Sequence, residues 1–334
     1  MTSSPRRAVL ALAFAGLLLG AGAARAQFEL GGQRAGTSSG SFLKIGVGAR
    51  AVALGEAFVA VANDPTAIYW NPAGLASMLR QELQFSHVAW PADIGYEYMA
   101  YVLPSRRFGG SFAIQAGVLS TQIEETDEYH PFGTGREFYY SDFVVGAAYG
   151  RRWTDKLLIG AGIKYVREDL GSQVGGPTTS STLFDLGSIY YLGYGSVRIA
   201  TSLTNFGPEM TPSGSYQSPI TGETRNYDGF DPPIQFRYGF AFEAVENAQQ
   251  RLTVATEIVQ PADNAQRMKA GLEWALQRRV ALRAGYNFNA DVMRLSAGLG
   301  IVIPLSLAQG SVDYAYTDGG PLGSINRLSL GFRF

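Results

Sequence analysis

The sequence contains no cysteine, only two histidines and no excess of basic residues. The lack of cysteine excludes a disulfide framework and a thiolate metal site. The two histidines, His87 and His130, offer little to a hydrolase, which needs a base beside a nucleophile or an activated water. His87 falls in the first strand predicted below, where a lumen or interface position is expected. We therefore expect no enzymatic activity, no cofactor and no bound metal.

Long apolar runs are also scarce. Residues 1–26 combine a basic pair, Arg6-Arg7, with the apolar stretch Ala8–Ala24 and the small-residue pattern Ala24-Arg25-Ala26. This order is typical of a signal peptide cleaved before Gln27. No later apolar run reaches the roughly 20 residues that a membrane-spanning helix needs. The composition thus predicts an exported protein and excludes a helical membrane protein.

The charge balance gives no reason to expect a nucleic-acid partner. Of the 27 basic residues, three lie in the predicted signal peptide, so 24 remain against 28 acidic residues. No stripe of lysine and arginine stands out along the chain, as nucleic-acid binding would require.

Alternation of apolar and polar residues is what the sequence has in abundance. Fourteen such runs follow Glu82; in one, apolar residues alternate with Gln235, Arg237, Gly239, Ala241 and Glu243. A soluble sheet with one wet face could show this period. Here, however, the polar positions carry full charges and glycine, and aromatics lie near the ends of the apolar face. That division is typical of a transmembrane strand with lipid outside and a polar lumen inside.

The predicted fold is therefore all-β, a 14-stranded antiparallel transmembrane β-barrel over residues 82–334. Closure is required because an open sheet edge in lipid would leave backbone groups unpaired. Short connections after the second, fourth and sixth strands alternate with long ones after the third, fifth and seventh. This parity indicates that the two kinds of connection lie at opposite ends of the barrel.

The segment before the barrel predicts an N-terminal plug (hatch) of short helices, residues 42–80. Asp64-Pro65 and Asn71-Pro72 each place a capping side chain before a proline, the preferred order at a helix start. They predict helices at Pro65–Trp70 and Pro72–Met78, which are too short to be stable alone in water and need a surrounding wall. Residues 27–41 are rich in glycine and serine, and we expect them to form a flexible lead.

Charged residues on the polar face of the strands should point at the plug. Because charges in a lumen are usually paired or hydrated, we expect salt bridges with the plug residues Lys44, Arg50, Glu56 and Asp64. An alternative is that the plug shifts on ligand binding and breaks these pairs. The predicted lumen charges facing the plug are Arg198, Arg237, Glu243, Arg267, Lys269, Glu273, Arg283 and Arg294, and further inward charges are Lys164, Asp185, Glu257 and Asp313.

Two further patterns bear on function. The acidic residues Glu124, Glu125, Asp127 and Glu128 could hold a divalent cation, although a solvated loop explains them better. Glycine weakens strand pairing and marks kinks, so Gly160-x-Gly162 and Gly298-x-Gly300 are candidates for a lateral gap in the wall.

Part of the plug resembles the PorV/PorQ family, which belongs with the wider FadL-like outer-membrane proteins. The similarity rests on Gly48–Ala51, Leu54–Ala60 and Asn63–Leu75. The rest of the chain matches only in architecture. Within these runs the residues that mark the plug are Arg50, Gly55, Phe58, Asp64, Pro65, Trp70, Asn71, Pro72 and Gly74.

The resemblance implies a location in the bacterial outer membrane, in contact with its lipid, and two different functions. PorV-type members look like type IX secretion shuttles that bind exported proteins by their C-terminal sorting domains. FadL-type members take up hydrophobic small molecules through the barrel wall beside the hatch. We take the shuttle as the main hypothesis and the uptake channel as the alternative. A purely structural scaffold is a third possibility.

Overall fold

The computed structural model describes residues 34–126, 128–218 and 221–334. The predicted signal peptide and residues 27–33 of the predicted lead lie outside this part of the chain. No helix within it is long and apolar enough to cross a membrane. The strands are β1 (Glu82–Trp90), β2 (Ile94–Ser105), β3 (Gly110–Glu124), β4 (Glu137–Arg152), β5 (Leu157–Asp169), β6 (Thr178–Tyr191), β7 (Arg198–Phe206), β8 (Ser215–Gln217), β9 (Thr224–Asn226), β10 (Gln235–Glu246), β11 (Gln250–Pro261), β12 (Arg267–Leu276), β13 (Val280–Phe288), β14 (Leu295–Pro304), β15 (Gln309–Asp318) and β16 (Ser324–Arg333).

Fourteen of these strands form one closed antiparallel barrel, which confirms the predicted fold class. Closure is made by β1, which pairs with β2 on one side and with β16 on the other. The short strands β8 and β9 form a separate hairpin in the connection between β7 and β10. Since every barrel strand has two neighbours, no open edge remains to be covered.

The two ends of the barrel differ as the parity of the connections predicts. The end at which β1 begins and β16 finishes also carries the short connections 106–109, 153–156 and 192–197; we call it the turn end. The opposite end carries the longer connections 125–136, 170–177 and 207–234; we call it the loop end.

The plug fills the barrel with four short helical segments. Two are α-helical, Ala49–Ala53 and Ala67–Trp70, and two are 3-10 turns, Ser41–Lys44 and Pro72–Ser77. The plug carries fully buried side chains such as Val47, Phe58 and Trp70. The plug is thus the apolar core of the molecule, surrounded by a wall whose inner face is largely polar.

Three details of the N-terminal predictions need correction. The predicted helix at Pro65–Trp70 begins at Ala67, and the predicted helix at Pro72–Met78 is a 3-10 turn that ends at Ser77. The predicted flexible lead is held by the wall from residue 38 onward. Ser38 forms a β-bridge with Asp231, and Ser39 hydrogen-bonds to Glu168. The chain therefore enters the barrel at the loop end and leaves it at the turn end, where β1 begins.

Candidate functional site

The second capping motif anchors the plug to the wall. Asn71 is fully buried, and its Oδ1 accepts a hydrogen bond of 3.1 Å from Ala73 N, as the Asn-Pro pattern predicts. Its Nδ2 donates to the carbonyl oxygens of Val59 (3.0 Å) and of Ser188 in β6 (3.2 Å). Asp64 caps in the same way, since its Oδ1 accepts from Thr66 N at 3.0 Å. One amide thus joins two parts of the plug to a wall strand.

Replacing Asn71 with alanine is expected to destabilise the protein by about 1–3 kcal/mol, because three buried backbone groups lose their partner. The measurement is the free energy of unfolding in urea, in detergent micelles. Asn226→Ala, at an exposed site in β9, is the matched control. Equal stability of the two variants would contradict the anchoring role of the amide.

Glycines on the inner wall allow the plug to touch it. A Cβ built on any of these glycines would lie 1.9–2.5 Å from a plug atom: Gly150, Gly160, Gly187, Gly239, Gly271, Gly285 and Gly298. Gly160 and Gly298 were predicted to mark a lateral gap, and that prediction is wrong. Both are paired to neighbouring strands on both sides, as are Gly162 and Gly300. Gly160 and Gly298 therefore allow the plug to approach the wall closely, and they do not break the strand pairing.

A network of charges joins the plug to the turn-end half of the wall. Arg50 donates to both carboxylate oxygens of Glu273, at 2.7 and 3.0 Å, and its Nη1 lies 3.1 Å from Asp64. Arg283 binds the same Glu273 at 2.8 Å and Asp313 at 2.6 Å. Arg50 also lies over the ring of Phe58. Glu273 is thus the carboxylate on which the plug and two wall strands meet.

A second ion pair lies on the same wall strand, nearer the loop end. Lys269 Nζ is 2.6 Å from Glu56 Oε2 of the plug. Burial alone would raise the pKa of the Glu56 carboxyl, but Lys269, with Arg237 and Arg327, lowers that pKa to about 2. Glu56 is therefore ionised at neutral pH. The plug is tied to β12 at both Lys269 and Glu273.

Two arginines bind the middle of the plug. Arg237 lies 4.6 Å from the ring centroid of Trp70 and 3.5 Å from Glu257, whose Oε2 accepts from Phe58 N and Val59 N. Arg198 donates to Ala60 O at 2.6 Å and pairs with Glu243 at 2.9 Å.

The remaining predicted residues divide into packing and peripheral positions. Gly55 has a positive φ of 64° and touches the backbone of Gly285, and Gly74 packs against the Ala62 carbonyl. Pro65 stands at the start of the turn that Asp64 caps. Arg267 lies at the loop end of β12, where it lines the cavity described next. Arg294 was predicted to face the plug; instead it is exposed just before β14 and donates to Ala290 O.

A cavity of about 330 Å³ lies between the plug and the loop end of the wall. Its apolar part is formed by Ile45, Val52, Trp90, Val292 and Met293. Its polar part includes the buried Arg237 and Arg327. Within the described residues, the Nε atoms of both arginines lack a hydrogen-bond partner. The cavity therefore combines apolar surface with two buried cationic side chains.

A second cavity, of about 410 Å³, opens on the turn-end side of the plug and includes Arg50, Asp64, Glu273 and Arg283. Val52 lines the first cavity and Arg50 the second, and both belong to the helix Ala49–Ala53. This helix packs on β13–β16. It thus separates the two cavities.

Sequence reasoning missed several residues of this region. Arg327 was visible only as a polar position of the last strand. Lys44 was expected to form a salt bridge, but its partner Asp263 (2.5 Å) was not predicted. The contact of Gly40 N with Glu168 (2.7 Å) had no sequence signal, because it depends on which loops meet. In the acidic loop Glu124 accepts from Gly135 N and Glu125 pairs with Arg136, while Asp127 lies outside the described residues.

Residues 19–152 match the model of an uncharacterised protein family (UPF0164). No curated protein matches the chain. The chain is similar to the toluene transporter TbuX of Ralstonia pickettii, with 13% identity over 86% of this chain and 97% of that chain and a TM-score of 0.56. It is also similar to the toluene transporter TodX of Pseudomonas putida, with 15% identity over 86% of this chain and 97% of that chain and a TM-score of 0.53. A third similar structure is the monoaromatic hydrocarbon channel CymD, with 12% identity over 86% of this chain and 97% of that chain and a TM-score of 0.53.

At these identities the similarity concerns the fold. The chain is a closed 14-stranded barrel and shares the fold of these transporters. The similar structures named above are transporters and a channel, not enzymes. They include no PorV or PorQ protein, so the closer family resemblance and the secretion role stay predictions.

Proposed function

We propose that the protein is an outer-membrane channel for the uptake of small hydrophobic molecules, with its loop end outside the cell and its turn end in the periplasm. The observation that carries this proposal is the pair of cavities on opposite sides of one five-residue helix, Ala49–Ala53. A ligand in the first cavity needs only a displacement of this helix to reach the second.

The shared architecture supports this proposal over the cargo shuttle. Proteins of the same fold are named for the transport of toluene and of monoaromatic hydrocarbons. The shuttle hypothesis has no comparable support among these structures.

The lining of the loop-end cavity suggests what enters it. Ligand sites combine apolar surface with a few placed polar groups that orient the ligand. Here Trp90, Val292 and Met293 offer the apolar surface, and the guanidinium groups of Arg237 and Arg327 offer the orienting groups. The ligand that fits best is a small molecule with an apolar body and one hydrogen-bond acceptor.

The ties to β12 are suited to gating. The Arg50–Glu273 pair is made from within the helix Ala49–Ala53, and the Glu56–Lys269 pair is made from just after the end of that helix. A ligand that competes for Lys269 or Arg327 would weaken the second tie while the first holds. The ligand can open the path between the two cavities only if it binds more tightly when the helix Ala49–Ala53 is displaced than when it is in place, because a ligand shifts an equilibrium by its difference in affinity for the two states.

The test is uptake of radiolabelled toluene and benzoate into proteoliposomes, with glucose as a hydrophilic reference. We expect saturable uptake of at least one aromatic probe. Val292→Trp, which fills the loop-end cavity, should lower that uptake to the level of empty liposomes. Val174→Trp, at an exposed loop site, is the matched control and should leave it unchanged.

If Val292→Trp leaves the uptake unchanged, the ligand does not pass through the loop-end cavity, which contradicts the proposed path. No aromatic uptake, together with a co-purifying protein that carries a C-terminal sorting domain, would favour the shuttle instead.

A further inference from the structure

The described part of the wall buries six cationic side chains, and one of them has no acidic partner. The other five each lie within 3.5 Å of a carboxylate oxygen, in the pairs Lys164–Asp185, Arg198–Glu243, Arg237–Glu257, Lys269–Glu56 and Arg283–Glu273. The sixth, Arg327 in β16, is 2% exposed and forms no ion pair within residues 34–126, 128–218 and 221–334. Its positive charge is therefore not balanced by a neighbouring carboxylate.

The contacts of Arg327 add no negative charge. Its Nη1 donates to the Thr317 hydroxyl at 3.2 Å, and its Cζ lies 5.6 Å from the centroid of the Trp90 ring. Its neighbours in the strand register are Val88 in β1 and Ala315 in β15. An arginine stays protonated in proteins, and a buried charge is costly unless it is paired and hydrogen-bonded. The site thus lacks one negative charge.

This arginine lines the loop-end cavity, and the carboxylates that line the same cavity are otherwise placed. Glu56 is bound to Lys269 at 2.6 Å, and Asp263 is bound to Lys44 at 2.5 Å. Asp291 is exposed in the connection between β13 and β14. A ligand that enters the cavity is therefore the remaining source of the missing negative charge.

The other surfaces of the cavity suit a small apolar body. Its volume of about 330 Å³ is near the lower end of the roughly 300–1,000 Å³ of small-molecule sites. The ring of Trp90 and the side chains of Val292 and Met293 contribute apolar surface. A guanidinium binds a carboxylate through charge-assisted hydrogen bonds, which are roughly twice as strong as those between neutral groups. One unbalanced cation within apolar walls therefore matches an apolar molecule with a single carboxylate.

We propose that the loop-end cavity selects small apolar carboxylates over neutral molecules of the same shape, and that Arg327 determines this selectivity. The inference rests on the proposed function, because it names the class of molecule that the channel admits. A hydrocarbon in the cavity leaves the charge of Arg327 unbalanced, whereas a carboxylate pairs with it. Arg237 and Lys269 line the same cavity, but each already has a carboxylate partner.

The test is isothermal titration calorimetry of the purified full chain in detergent micelles at neutral pH, with benzoate and benzamide as probes. Benzamide has nearly the shape of benzoate and carries no charge. We expect benzoate to bind about tenfold or more tightly than benzamide, because hydrogen bonds to charged groups are the stronger ones.

Three variants identify the residue responsible. Arg327→Gln removes the charge and keeps a donor, and the preference for benzoate should fall below about twofold because the charge-assisted bond is lost. Arg327→Lys retains the charge and should retain a preference of several-fold, since lysine lacks the planar fork of arginine. Arg225→Gln, at an exposed site in β9, is the matched control and should keep the full preference.

Thermal unfolding of the same samples separates recognition from a structural role. Benzoate should raise the unfolding temperature of the unaltered protein, because a ligand that binds only the folded state stabilises it. It should leave the unfolding temperature of Arg327→Gln unchanged. An arginine with a purely structural role would alter the unfolding temperature without altering the ratio of the two affinities.

Equal affinities for benzoate and benzamide in the unaltered protein would overturn the proposal. So would the absence of benzoate binding, or an Arg327→Gln variant that keeps the preference. Uptake into proteoliposomes judges the proposed function separately. Selective benzoate binding without uptake would retain this inference and contradict the channel, whereas uptake of toluene with equal binding of the two probes would do the reverse.

Discussion

Replacing Glu273 with leucine is expected to release the plug from the turn-end half of the wall and to cost about 3–5 kcal/mol of stability, because removing one partner leaves uncompensated buried charge. The Glu273 side chain is 3% exposed and accepts from Arg50 and Arg283 at 2.7 and 2.8 Å. Arg251 lies 3.4 Å away as a third cation. Without the carboxylate, these guanidinium groups repel one another beside the helix Ala49–Ala53.

Two measurements check this result. Unfolding in urea gives the loss of stability, and single-channel conductance in planar bilayers should rise because the plug no longer closes the lumen. Glu223→Leu is the control: its pair with Arg225 is exposed on both sides, so its removal should change stability by about 0–1 kcal/mol. A Glu273→Leu variant with unchanged conductance and stability would show that the network does not hold the plug.

Substituting Gly285 by alanine is expected to have the next largest effect. The new Cβ would lie 1.9 Å from Gly55 N and 2.1 Å from Leu54 C, so it meets plug backbone and not a flexible side chain. Overpacking in a core costs about 1–3 kcal/mol, and we expect the upper end because neither the strand nor the plug backbone can rotate away. The plug should separate from β13 and become sensitive to protease.

Gly95→Ala provides the matched control in another strand, since the nearest atom to its Cβ would be 3.9 Å away. Limited proteolysis of both variants in micelles, followed by mass spectrometry of the fragments, reports on the plug directly. Equal resistance of the plug in the two variants would contradict the close approach at Gly285.

Much of the fold was accessible from the sequence. Alternation over a whole strand reports directly on a two-sided environment, so runs such as Gln235–Glu243 were enough to predict strands with charges inside. Strand number and closure followed from the count of runs and from the need to pair every edge in lipid. The Asn71 cap was predicted for a similar reason, since its partner Ala73 lies two residues away.

Sequence-based predictions failed where one local pattern is compatible with two structures. An inward glycine in a strand permits a kink or a close contact, and Gly160 and Gly298 turned out to make contacts with the plug. The helix Ala49–Ala53 was not predicted because Gly48 precedes it without a side-chain cap. Arg294 was predicted to face the lumen, but it lies just before β14 and outside any barrel strand.

The sequence by itself determined that this chain forms an outer-membrane-type barrel, that its inner face is charged and that its plug is apolar, because each property is repeated along many residues. Only the tertiary structure decided which charges meet, where the cavities lie and that His87 and Glu97 share the outward face. Those facts depend on strand register and on the path of the plug, which bring together residues as far apart as Arg50 and Glu273. Pairings across more than two hundred positions leave no local pattern from which to predict them.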